Sequence, residues 1–131
     1  MHEILIKKVM NKLLEGDNMI LEKLRTQYDT AEIVSIDSSD VGFFVDFNVN
    51  HNGYLSEPMI RDSFEIGDVN GSYKGIDYAV GFLLFIREGK ISTLEGYTIS
   101  VDHWPDDEEL ELKYDSVHGR NMEDINCMIY K

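Results

Sequence analysis

The spacing of the apolar residues changes once along this chain, near Tyr28, and that change constrains the fold more than any other feature. Before it, Leu5, Val9 and Leu13, together with Ile6, Met10 and Leu14, recur at four-residue steps with Lys7, Lys8, Asn11 and Lys12 between them. That pattern predicts an amphipathic helix from about Glu3 to Glu15. Gly16 reads as a stop, and Asp17 or Asn18 as the N-cap of a second helix running to about Tyr28, with Ile20, Leu21, Leu24 and Tyr28 on one face. The same residues also fit one long helix with a weak joint at Gly16.

After Tyr28 the period is two. Ile33–Ile36 reads as a strand and Ser38–Asp40 as a turn. Phe43, Val45, Phe47 and Val49 alternate with Phe44, Asp46 and Asn48, giving one greasy and one mixed face. A turn is expected at Asn50–Gly53, since Asn-Gly is a strong hairpin signal. A looser segment to Asp62 contains Pro58, and Phe64, Ile66 and Val69 mark a further strand, with Gly71–Asp77 as a connection. Ala79–Arg87 is a continuous apolar run, as expected of a central strand buried on both faces. Glu88–Gly89 turns it into Lys90–Ser100, where strict alternation puts Ile91, Thr93, Glu95 and Tyr97 on one face. Pro105 and the acids after it read as a loop or a single helical turn, and Leu110–Tyr114 as the last strand. The tail contains Ile125, Met128, Ile129 and Tyr130, which fit either docking on the core or fraying.

Helices that precede a run of hairpin-connected strands indicate an α+β fold. We expect the N-terminal helices on one face of a five- or six-stranded, mostly antiparallel sheet. The organisation is a single domain, 1–131, with a helical part (1–28), a mainly β part (30–114) and a tail (115–131). At 131 residues and 43% hydrophobic content the chain can bury a core of its own. The single cysteine, Cys127, excludes a disulfide scaffold and suits a cytosolic setting. Tyr78–Ile86 is too short an apolar run to span a membrane, and the N-terminus lacks the apolar core of a secretory signal. We therefore expect a cytoplasmic protein with no membrane role.

The net charge is −13, unevenly placed. Residues 1–28 carry five bases and four acids; 29–70 net −8 and 102–131 net −6. The densest patch is Asp102, Asp106, Asp107, Glu108, Glu109 and Glu111, with no base among them. Such a balance excludes a nucleic-acid binder that works by neutralising phosphates and fits either a well-solvated surface or a cationic partner.

Motifs for chemistry are lacking. His2, His51, His103 and His118 make no metal-ligand spacing, the acids make no calcium loop, and there is no GxSxG, phosphate loop or GxGxxG. Cys127 has no histidine paired by motif. We expect no metal, no cofactor and no enzyme activity. Glu95 is the exception, an acid inside an apolar strand. Facing the core it would be held protonated, and with Tyr97, Asp46 and Asp102 it could then serve an acid–base pair or a ligand pocket between helices and sheet. Pointing to the wet face, it would do neither. Phe43, Phe44 and Phe47 read as core rather than as a base-stacking platform. Trp104, the only tryptophan, suits either an interface anchor or a cap on the edge of the core.

Several stretches carry a resemblance: Glu22–Ser35, the VGFFVDF of Val41–Phe47, the FEIGDV of Phe64–Val69, the AVGFLLFIREGKISTLEGYT of Ala79–Thr98, and the WPDD of Trp104–Asp107. Over roughly residues 21–114 the chain resembles a family of small acidic bacterial proteins, similar to the immunity proteins of polymorphic or contact-dependent growth-inhibition toxin systems. The resemblance brings no catalytic residue. It implies an inhibitor that binds a cognate toxin, a basic nuclease-type domain whose cleft an acidic protein could occupy. On that reading Asp102, Trp104, Asp106, Asp107, Glu108 and Glu109 are the first contact candidates, and Asp37, Asp40 and Asp46 the second. Self-association is left open.

Overall fold

The computed structural model describes residues 2–50 and 53–131. The elements run α1 (Glu3–Leu13), α2 (Met19–Thr30), β1 (Glu32–Ser39), β2 (Gly42–Asn48), β3 (Phe64–Tyr73), β4 (Ile76–Arg87), β5 (Lys90–Thr98), β6 (Leu110–Tyr114) and α3 (Met122–Ile129). The six strands form one antiparallel sheet in the order β1-β2-β5-β4-β3-β6. The α+β class is as the sequence indicates, with α1 packed on β3 and α2 on β5. The expected turn at Asn50–Gly53 falls on residues partly outside those described.

There are two N-terminal helices, not one. Gly16 sits at φ +133°, a backbone conformation that side chains disfavour, and this breaks the helix. The Asn18 side chain then caps α2, its Oδ1 accepting from the amides of Ile20 (2.8 Å) and Leu21 (3.1 Å). The carbonyls that α1 leaves unpaired at its end are covered by two arginines. Arg25 donates to the carbonyls of Leu14 and Gly16, and Arg120 to those of Leu13 and Glu15. Arg120 also forks onto Asp68 at 2.9 and 3.0 Å, so one guanidinium joins α1, the tail and β3. That pair is nearly buried, with side-chain exposures of 7% and 13%.

The core lies between the helices and one face of the sheet. It includes Leu5, Val9 and Leu13 of α1, Ile20 and Leu24 of α2, and Phe43, Val45, Phe82, Leu84, Ile86 and Leu94 of the strands. Gln27 is 2% exposed yet fully used. Its Nε2 donates to the carbonyls of Gly53 (2.9 Å) and Gly89 (3.0 Å), and its Oε1 accepts from the Ile91 amide (2.9 Å), fastening α2 to the β4–β5 turn. The tail docks: Ile125 and Ile129 are fully buried, and Tyr130 bridges to Ile60.

Three expectations need correction. The stretch Gly71–Asp77 is mostly strand, because a two-residue turn, Lys74–Gly75, with φ of 47° and 82°, suffices to join β3 and β4. Strand β4 is central but buried on one face only: Val80, Phe82, Leu84 and Ile86 are covered, whereas Leu83 and Phe85 are half-exposed. In β5 the pairing shifts, with Ile86 opposite Ile91 but Phe85 opposite Thr93. The extra residue is a bulge, and it separates Ile91, buried with Leu94, from Thr93, Glu95 and Tyr97 on the other face.

Candidate interaction surface

The Asp102–Glu111 segment is not one uniform acidic loop. Its backbone is tied to the β1–β2 turn, where the Trp104 amide donates to the Asp40 carbonyl at 2.6 Å. The Trp104 ring turns inward and meets Phe43 and Phe82 edge-on, with centroids 5.2 and 5.9 Å away. Gly96 makes room for it: a Cβ there would stand 2.6 Å from the Phe43 ring and 3.0 Å from Trp104. The indole N–H donates to Asp107 Oδ1 at 2.8 Å, while the other oxygen of that carboxylate lies 2.7 Å from His2 Nδ1. His2 in turn stacks on Phe43 at 4.7 Å. Trp104 and Asp107 are thus engaged inside the protein, and the ring caps the edge of the core. Asp102, Asp106, Glu108 and Glu109 remain exposed. Asp106 accepts from the Glu108 amide and caps the short 3-10 turn of Asp107–Glu109, and Glu109 lies 3.5 Å from Lys74. The segment borders a shallow hollow of about 430 Å³ lined in part by Ile4, Leu5, Lys8, Pro105 and Glu108.

The second group of candidates divides. Asp40 lies exposed at the β1–β2 turn, whereas Asp37 and Asp46 stand on the sheet face opposite the helices. The register of the strands lays that face out in rows. One row crosses β1, β2, β5 and β4 as Asp37, Phe44, Glu95 and Leu83. The next crosses β1 to β3 as Ser35, Asp46, Thr93, Phe85 and Glu65. A third spans all six strands as Ser39, Gly42, Tyr97, Gly81, Asn70 and Lys113. Neither of the first two rows holds a base, but the Arg87 guanidinium lies over the Phe85 ring of the second, 4.9 Å from its centroid. Alternation explains the layout, because successive side chains on a strand point to opposite faces. The neighbours Phe43, Val45, Leu94, Phe82 and Leu84 fill the core.

The face is built, not merely left over. Asp46 accepts from Ser35 Oγ at 3.2 Å and Thr93 Oγ1 at 2.9 Å, which ties its carboxylate to the strands on both sides. Tyr97 leans over Gly81, where a Cβ would come 2.6 Å from the ring. Partial burial, then the negative charges of Asp115 and Glu95, push the Tyr97 phenol above its ordinary value. Phe44 is 48% exposed in the middle of the first row, between two carboxylates.

Glu95 and Tyr97 therefore lie side by side in position, but on the uncovered face rather than in a pocket between helices and sheet. Asp102 is on the exposed loop and is not gathered with them into an acid–base pair. No cluster of metal-ligating side chains exists among the described residues. Their helices include none long and apolar enough to cross a membrane. Phe44, read as core with Phe43 and Phe47, is instead 48% exposed because alternation turns it to the uncovered face, and sequence reasoning passed over Leu83, Phe85 and Glu65 as its neighbours there. The signal for Phe44 was present, since it alternates with Phe43 and shares a face with Asp46. Compared with protein-family models, curated proteins and solved structures, the chain matches none.

Proposed function

We propose that this chain is an immunity-type inhibitor, which binds and neutralises a cationic protein toxin without turning over a substrate. One observation carries the reading. Asp37, Asp46, Glu65 and Glu95 stand on the uncovered sheet face with no base in its two central rows, and the Asp102–Glu111 segment, on the helix side, adds a second run of exposed acids with no base in its sequence. A predominantly negative surface raises the encounter rate with a cationic partner and repels phosphate-bearing competitors. A toxin that acts on nucleic acid has to present positive charge to its substrate, and an acidic protein seated there excludes that substrate.

The test is co-expression. The chain is produced together with the domains that the neighbouring genes encode, and survival and association rate are measured. Protection of the cells, with an association rate that falls steeply as salt rises, supports the reading. Survival no better than with empty vector, or an association rate indifferent to salt, would overturn it.

A further inference from the structure

We infer that the uncovered sheet face is the recognition surface, and that Asp37, Phe44 and Glu95 form a clamp for an arginine side chain of a cationic protein partner. The inference deepens the function proposed above and rests on it. Across a sheet, adjacent strands lie about 4.8 Å apart, so the backbone positions of Asp37 and Glu95 stand one strand spacing to either side of Phe44, on the same face. A guanidinium laid on that ring gains cation–π attraction from the face and has a carboxylate in reach on both sides. Its planarity suits stacking and paired hydrogen bonding together, which an ammonium cannot match.

Three arguments favour this face over the Asp102–Glu111 segment. Interfaces draw their energy from desolvated apolar anchors, and the segment has turned its aromatic ring inward onto Phe43 and Phe82. The sheet face keeps Phe44 48% exposed with Leu83 partly exposed nearby, while the chain's own Arg87 already lies over Phe85, leaving Phe44 as the open ring. Carboxylates on a paired strand are held in register before binding, so less ordering is needed on association. Charge also selects the occupant. A second copy placed face to face would set acids against acids, and a nucleic acid would be repelled outright, whereas a cationic protein surface is complementary in both sign and character.

The experiment uses the full chain and the peptide acetyl-Leu-Arg-Leu-Arg-Leu-Arg-amide as probe, with amide chemical shifts followed during titration and the lysine counterpart as control. Shifts should centre on β2 and β5 around Phe44 and Glu95, and the lysine peptide should bind more weakly. Phe44→Ser and Glu95→Gln should each weaken binding about tenfold, while the paired change Asp106→Asn with Glu108→Gln should alter it less than about twofold. Because Phe44 is half-exposed, its variant should unfold at nearly the wild-type temperature, which separates lost contact from lost fold. Shifts confined to 102–111, equal binding of the lysine peptide, or binding unmoved by Phe44→Ser overturns the clamp. So does a wild-type dimer in solution that Phe44→Ser dissolves. Protection in cells with shifts elsewhere would defeat the clamp but leave the function standing, and a clamp without protection would do the reverse.

Discussion

The two faces of the sheet are made by the same strands, residue by alternate residue, and they differ in almost every physical respect. Toward the helices stand Phe43, Val45, Phe82, Leu84 and Leu94, all close to fully buried. Away from them stand Phe44, Asp46, Leu83, Phe85, Glu95 and Tyr97, exposed or half-exposed. The first set holds the fold together through area removed from water. The second contributes little to folding and keeps charge and apolar surface available together. A face that is neither fully polar nor covered marks a site of association more often than a solvated wall. The faces should therefore separate cleanly when stability and binding are measured on the same variants.

The largest separation is expected between two phenylalanines. Phe82→Ala removes a fully buried ring that touches Phe43 and Trp104 and should cost about 3–5 kcal/mol in urea unfolding. Phe44→Ala, on the open side, should cost less than about 1 kcal/mol. Similar losses at both positions would mean that the uncovered face is structural after all, and would break the comparison.

A second, slightly smaller effect concerns what keeps the cover in place. Arg120→Met leaves the Asp68 carboxylate nearly buried without its partner and frees the carbonyls at the end of α1. Removing one member of such a pair costs about 3 kcal/mol. Asp68→Asn tests the same pair from the sheet side and should lose comparably. If either variant were as stable as wild type, the helix layer would be held by apolar contacts alone.

The covered face was the more legible of the two in sequence. Four-residue steps in the first fifteen positions and alternation in Phe43–Phe47 assign both layers before any pairing is known. Strand β4 misled because an apolar run does not reveal that Leu83 and Phe85 stand on the open side; that depends on where the described helices pack. The bulge in β5 was invisible because it exists only relative to Phe85 and Ile86 on the partner strand. Trp104 could be read as anchor or cap, and the glycine opposite it, Gly96, decides the matter by leaving a slot for the ring. Of the nine candidate carboxylate and aromatic contacts, Trp104 and Asp107 face inward for reasons of tertiary contact that no spacing announces. Arg120 carried no signal at all, being one base in an acidic tail.

The smallest effect is also the most specific to the difference between the faces. Tyr28 packs edge-on against Phe47 in the helix layer, and burial alone raises its phenol pKa. Tyr97 stands on the open face, where burial raises it first and the charges of Asp115 and Glu95 add to that. A phenol whose pKa is higher in the folded than in the unfolded chain stabilises the fold fully below about pH 10, the unfolded value, and that contribution is lost as pH rises through the folded value. Stability should thus decline on the alkaline side for both residues, and Tyr97→Phe or Tyr28→Phe should each make the decline shallower. Salt should distinguish them. Charge–charge repulsion across an exposed face is screened, so added salt should lower the Tyr97 titration midpoint, and Glu95→Gln should lower it in the same direction. The Tyr28 midpoint, raised by burial rather than by neighbouring charges, should move less. Phenolate absorbance of the single Tyr→Phe variants, followed at low and high salt, measures both midpoints by difference. Equal responses to salt at the two tyrosines would show that the uncovered face has no distinctive negative potential, and the electrostatic half of the comparison would fall.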